Sequence, residues 1–452
     1  MSDCLRARAT LKGATMVPQR LPRRSFLGLV GAGVGATFLG TSACGTDATG
    51  GGDGGGTFQV WVLQEESQQD AHNGALERFN KNSDVKARLV ATSNDGYTDK
   101  LHVSMGSSNK PDVFYNWGGG SIRTYARDGL LVDLSPHFEK DPAWKDQFLP
   151  SVLDAGMIDG KYYGIPARGM QPIILFYNKA VFADLKVEPP KTWTELLTVV
   201  DRAKSSGIIP FALAGGDAWT ELVWPEYLVD RIGGAGVFEK IAAGEKGAWG
   251  DPAVRKSIDM IRDLVDRGGF GDSFASVKWD GAGASTLIAQ GQAAMHLMGS
   301  WEYTNQVNDQ PEYAKNDQGF IAFPTVEGGV GDPKAIVGNP TNYFSVSKDS
   351  KHVDAAIEFL KQEMASDAYV KQWLEAGDVP ATTGLEDKMD QAADPAFAKV
   401  VFDMVEQAPS FQLSWDQAIE REKAQPMLDA LSKVFLGELD AAGFVKANED
   451  AA

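Results

Sequence analysis

Cysteine is almost absent from this 452-residue chain: Cys4 and Cys44 are the two it has. Everything after residue 44 is therefore without an internal disulfide, and its stability must come from packing. Histidine is scarce as well. His72, His102, His137, His296 and His352 show no paired metal-ligand spacing, so no metal site is expected. The apolar stretch 27–39, about 13 residues and rich in glycine, is too short to span a membrane core of ~30 Å as a permanent anchor. Positive charge is in deficit, with 43 Lys and Arg against 61 Asp and Glu for a formal charge of −18. With no basic cluster to interrupt that balance, no nucleic-acid partner is expected. Motifs of covalent catalysis are missing too: there is no Gly-x-Ser-x-Gly elbow, no Walker loop and no cysteine nucleophile after the leader. The fragment Gly31-Ala32-Gly33-Val34-Gly35 lies in the apolar leader and follows no strand, so it is no dinucleotide loop, and no cofactor is expected.

What remains is a soluble globular composition, 43% hydrophobic and 23% charged. At about 150 residues per domain the length predicts two or three units. The first 44 residues depart from the average, with six basic residues and one acidic; without them the chain would carry −23. Arg23 and Arg24 precede the apolar stretch, and small residues lead to Cys44. Basic, then apolar, then small is the order of an export signal, and the paired arginines resemble a twin-arginine signal. The segment ending at Cys44 resembles a bacterial lipoprotein box, departing from it at Thr41 where leucine is favoured. The alternative is an ordinary cleavage site with an incidental cysteine. The expected organisation is an export signal over 1–43, lipid on Cys44, and a flexible Gly/Asp/Thr tether over 44–56. The protein is expected on the outer face of the cytoplasmic membrane.

From Thr57 onward short β runs alternate with helical runs. Residues 58–63 read as a strand, 71–82 as a helix, 85–91 as a second strand, 97–105 as a helix and 111–115 as a third strand. That order predicts parallel strands with crossover helices. Thr192 and Glu195 form a capping box, and Asp251-Pro252 opens a helix whose Val254, Ile258, Ile261 and Val265 share a face. Further strands are expected at 173–177, 209–213, 293–298, 319–323 and 343–346. The chain reads as α/β throughout, with no internal repeat.

Tryptophan placement is the informative feature. Trp117 follows the third strand within Asn116-Trp117-Gly118-Gly119-Gly120, Trp219 follows Gly215-Gly216-Asp217, Trp301 follows Gly299-Ser300, and Trp415 stands beside Asp416 and Gln417. Ligands of open α/β sheets sit beyond the carboxyl ends of strands. An indole offers its face to the C–H side of a sugar ring while carboxylates and amides bind the hydroxyls. Any single tryptophan is more often a core residue, and that reading is preferred for Trp61, Trp193, Trp249 and Trp373. Trp144, Trp224 and Trp279 fit either role. Sixty acids leave room for a carboxylate pair about 5–10 Å apart, so a glycosidase stays open.

An ordered set of segments, including Leu76-Glu77-Arg78-Phe79-Asn80-Lys81, Lys110-Pro111-Asp112-Val113, Tyr163-Gly164-Ile165-Pro166, Phe176-Tyr177-Asn178-Lys179 and Gly291-Gln292-Ala293-Ala294-Met295, resembles the extracellular sugar-binding proteins of ABC importers. This is the class that includes maltose-binding protein, and the resemblance covers nearly everything from Phe58 to about Leu436. It implies a two-lobed periplasmic-binding-protein-like (type II) fold with a ligand cleft between the lobes. Residues 57–168 and 327–366 would form lobe 1, and 169–326 and 367–452 lobe 2, with crossings near 168–172, 323–329 and 364–369. By position it implies a ligand site of Glu65 or Glu66, Asn116, Trp117, Arg168, Trp219, Trp301, Trp415 and Asp416. Asn342, with Asn339, is a further candidate in a loop whose turn chemistry alone would explain it. The implied activity is binding and delivery of a short oligosaccharide to ABC permease subunits by a monomer, without catalysis. The stretch 411–417 is similar to that of actinobacterial binders of plant-derived disaccharides and favours a xylobiose-like sugar. The alternatives are a secreted glycosidase and a binder of a non-sugar solute.

Overall fold

The computed structural model describes residues 56–451, apart from the side chains of Glu66 and Ser67. The expected signal, Cys44 and all of the tether except Gly56 lie outside the described residues. Two mixed sheets organise the rest. The first has the strand order Lys86–Thr92, Thr57–Leu63, Val113–Asn116, Tyr343–Val346, Ile165–Pro166; the second runs Phe411–Leu413, Ile336–Asn339, Gln171–Asn178, Ala293–Gly299, Ile209–Ala212, with Gln318–Ile321 paired to Gln171–Asn178.

The predicted parallel pairing is found where a helix returns the chain to the same sheet. Thr57–Leu63 is parallel to Lys86–Thr92 and to Val113–Asn116, and Ile209–Ala212 is parallel to Ala293–Gly299. It fails at Tyr343–Val346 and Gln171–Asn178, which run antiparallel to their neighbours. These two strands arrive from the other sheet, and so enter at the end where the βα units finish.

The chain passes from the first sheet to the second between Pro166 and Gln171 and returns between Asn339 and Tyr343. That return is later than the expected 323–329, because Ile336–Asn339 pairs with Phe411–Leu413 and Gln171–Asn178 in the second sheet. Residues 336–339 therefore belong to the second sheet and not, as expected for 327–366, to lobe 1. A four-residue strand ending in Gly-Asn carries too little alternation to be read ahead of its turn. Near the expected third crossing, the helix Asp367–Ala376 buries Tyr369 and Trp373 in the first core and Val370 and Leu374 in the second.

Helix starts follow their local chemistry. Thr192 Oγ1 accepts from Glu195 N–H at 3.2 Å, and Glu195 Oε2 accepts in return from Lys191 N–H at 2.7 Å, one residue earlier than the usual capping box. Asp251 Oδ1 accepts from Ala253 N–H at 2.8 Å, and the helix it opens buries Val254, Ile258, Ile261 and Leu264. Each sheet has its own core. Phe58, Phe79 and Phe359 meet edge to face in the first, and Phe211, Trp224 and Phe270 cluster in the second. Trp61, Trp144, Trp193, Trp224, Trp249 and Trp373 are all core residues.

Candidate ligand-binding cleft

A cavity of about 390 Å³ lies where strand ends of the two sheets face each other. Leu63, Tyr115 and Trp117 reach it from the first sheet, and Trp219, Trp279 and Trp301 from the second. Trp219 and Trp301 are the first residues of the helices Trp219–Gly233 and Trp301–Asp309, each reached by a loop from a strand of the second sheet. The indole of Trp301 folds back over its own strand end, and this needs Gly299: a Cβ there would lie 2.0 Å from Trp301 Cζ3.

Three indoles form one apolar wall. Trp219 stands 5.3 Å from Trp279 and 6.2 Å from Trp301 between ring centroids, and Trp279 stands 6.5 Å from Trp301. Asp217 fixes the Trp279 loop by accepting from Trp279 N–H at 2.7 Å and from Lys278 Nζ at 2.8 Å. From the other sheet Trp117 sets its edge against Tyr97 and Tyr115.

The polar part centres on Arg168, in the first crossing segment. Its guanidinium meets Asp378 at 2.6 Å and Glu65 at 3.2 Å. Burial works against this charge, but Asp378, Tyr115 and Glu65 together hold the guanidinium above its ordinary pKa. Glu65 also accepts from Gln68 Nε2. The side chains of Gln171, Asn339 and Asn342 line the cavity and are more than nine-tenths buried, yet Gln171 Nε2, Asn339 Oδ1 and Asn342 Oδ1 have no hydrogen-bond partner in the protein. Buried amides are seldom left so. Asp416, in the short helix Trp415–Ala418, has its carboxyl pushed up to about 6 by burial, against the pull of the Gln417 amide 2.9 Å away.

Of the residues expected at the site, Glu65, Trp117, Arg168, Trp219, Trp301, Asn342 and Asp416 line this cavity. Two do not. Asn116 is buried in the first sheet, where its amide donates to Ser345 Oγ at 2.9 Å and its Oδ1 accepts from Gly118 N–H at 3.0 Å. It shapes the glycine turn rather than the cleft. Trp415 is fully buried, stacked on Phe238 at 4.8 Å with 6° between planes and edged by Trp249 at 5.9 Å. Its neighbour Asp416 lines the cavity in its stead. Glu66 has no described side chain. Trp279, Gln171, Asp217 and Lys278 were not singled out for the site; of these, only Trp279, beside Asp280-Gly281, carries the loop signature of the other cleft tryptophans. Among the described residues no group of His, Cys, Asp and Glu could hold a metal ion, and no helix is long and apolar enough to cross a membrane.

Two lobes around a cleft of this kind define a solute receptor, and sequence comparison agrees. The family profile "Bacterial extracellular solute-binding protein" matches residues 56–371, and the chain belongs to that family. It is 28% identical over 303 residues to an uncharacterized ABC transporter extracellular-binding protein of Pyrococcus horikoshii, covering 65% of each chain. It is 26% identical over 357 residues to the diacetylchitobiose-binding protein DasA of Streptomyces coelicolor, covering 75% of this chain and 77% of that one. A solved structure from work on xylan utilization by the thermophilic bacterium Caldanaerobius polysaccharolyticus superposes with a TM-score of 0.81 at 27% identity, over 87% of this chain and 99% of the other. The matched stretches span 65%, 53% and 62% of the first three curated relatives' lengths.

Proposed function

We propose that this chain captures a short neutral oligosaccharide, with a xylobiose-like sugar favoured, and delivers it to the permease subunits of an ABC importer. The observation that carries this reading is the cavity itself. An apolar wall of three indoles shares the cavity with Gln171, Asn339 and Asn342, each of which has one buried amide atom without a hydrogen-bond partner. Sugars have the matching anatomy, since C–H faces pack on aromatic rings and hydroxyls both donate and accept. The volume is at the small end of ligand pockets, which run about 300–1,000 Å³, and suits a few rings. A relative that binds diacetylchitobiose and a structural neighbour from xylan utilization support an oligosaccharide over a monosaccharide.

Binding residues come from both lobes and from the crossings between them, so a sugar in the cleft bridges them. It favours the closed arrangement over an open one by its greater contact there, and the closed arrangement is what the permease receives. No bond in the sugar is broken. The protein acts as a monomer, exported through its twin-arginine signal and held at the membrane by lipid on Cys44. Intrinsic tryptophan fluorescence titrated with xylobiose, xylotriose and diacetylchitobiose tests the ligand: a saturable change with at least one sugar is expected, and silence with all three contradicts the reading. Cys44→Ala tests the anchor, and should move the protein from the membrane fraction to the medium.

A further inference from the structure

The charges lining the cavity are of unequal number and unequal freedom. Five carboxylates, on Glu65, Asp95, Asp217, Asp280 and Asp416, share the cavity with two cations, Arg168 and Lys278. Both cations are already engaged. Arg168 is held between Asp378 and Glu65, and Lys278 between Asp217 at 2.8 Å and the Gly216 carbonyl at 2.6 Å. Asp95 and Asp280 add their negative field at Lys278. They belong to opposite lobes and meet across the cleft, where Asp280 Oδ2 accepts from Asp95 N–H at 3.4 Å.

A ligand carboxylate entering this cavity would find no guanidinium or ammonium without a carboxylate partner of its own, and would stand among like charges that outnumber the cations. Binding sites discriminate as strongly through such repulsion as through attraction. A protonated amine would meet the opposite field. Resting on the receptor reading above, we propose that the cleft is a charge filter that admits neutral and amino-substituted oligosaccharides and rejects those bearing a uronic acid, with Asp95 and Asp280 as the specificity-determining pair. Glu65 and Asp217 are less suited to that role because each is neutralised by a cation. The filter would matter wherever plant polymers yield neutral and glucuronosyl-substituted fragments together: the cleft takes the former and leaves the latter for an enzyme that first removes the acidic branch.

Calorimetric titration of the full-length protein at pH 7.5 and low salt tests this, using xylobiose, xylotriose, glucuronosyl-xylose and the methyl ester of glucuronosyl-xylose. Acid and ester differ in charge and hardly in shape. The ester is expected to bind at least about tenfold more tightly than the acid, with the gap narrowing as salt screens the field. In the Asp95→Asn, Asp280→Asn double variant the acid-to-ester ratio should move toward one. Equal behaviour of acid and ester in the native protein, including failure of both to bind, overturns the filter. So does a ratio that the double variant leaves unchanged. Failure of xylobiose and xylotriose as well would bring down the receptor reading, which the acid and ester alone do not touch.

Discussion

Arg168 Nε and Asp378 Oδ2 lie 2.6 Å apart with both side chains almost wholly buried, and they join two of the segments that link the lobes. The first crossing carries Arg168, and Asp378 follows the helix that packs into both cores. The ion pair therefore ties the connections together behind the cleft, while Glu65 brings the first sheet's loop onto the same guanidinium.

Arg168→Ala would leave Asp378 buried without its countercharge. Losing one partner of a buried pair costs about 3–5 kcal/mol, and a urea denaturation midpoint should fall accordingly. A midpoint close to the native one would mean that the pair is dispensable to the fold.

Trp219 and Trp415 should separate binding from stability. Trp219 is half-buried at the cavity, so Trp219→Ala is expected to weaken sugar affinity about tenfold or more with little change in melting temperature. Trp415 is stacked in the core, and Trp415→Ala should cost about 3–5 kcal/mol of stability. Isothermal titration and thermal melts of the two variants would show this crossed pattern; parallel losses in both would contradict the placement of the two indoles.

These two residues also mark what sequence reading reached. The four tryptophans in Gly-rich or strand-end segments looked alike, because sequence shows that an indole follows a strand and does not show which way it turns. Trp117, Trp219 and Trp301 turn to the cavity. Trp415 turns inward onto Phe238, a residue on a helix about 177 positions away in sequence, and no local pattern announces that contact. The orientation of Asn116 is hidden from the sequence for a related reason: its amide donates to Ser345 on a strand more than 200 residues further along the chain. Strand and helix identities were legible because apolar periodicity and caps are local. The second crossing was not, because Ile336–Asn339 becomes a strand only through partners supplied by Gln171–Asn178 and Phe411–Leu413.

The two lobes meet at a glycine contact. Gly119 and Gly120 lie against residues 417–419 of the other lobe, and a Cβ on Gly120 would come within 2.2 Å of the Ile419 carbonyl oxygen. Asp99 with Arg421 and Arg127 with Glu420 flank this contact. Gly120→Ala should hold the lobes apart, giving several-fold weaker binding and a larger radius of gyration in solution scattering with sugar present. Undiminished compaction on sugar binding would show that the backbone contact is not needed for closure.

Stability should fall as pH rises toward 8. Burial raises the Glu226 carboxyl to about 8, against the pull of the Trp415 N–H it accepts at 2.8 Å. In the unfolded chain a glutamate titrates near 4.3, so between about pH 5 and 8 the folded protein holds a proton that the unfolded chain has released. Its contribution is complete below that window and is lost as pH climbs through it. Glu226→Gln keeps an acceptor for Trp415 and removes the titration, so its stability profile should be flatter by up to about 1.4 kcal/mol per pH unit within the window. Denaturation midpoints at pH 5, 6, 7 and 8 would measure the difference, and superimposable slopes would refute the assignment.

A cleft that binds a short neutral oligosaccharide and returns it intact is to be sought first by calorimetric titration of the full-length protein against short oligosaccharides, xylobiose first, with chromatographic recovery of every sugar afterwards. Saturable heat at micromolar affinity, about −8 kcal/mol, with complete recovery is the predicted result. Cleavage products would make the protein a glycosidase, and no heat with any sugar would mean that the indole wall serves a different ligand.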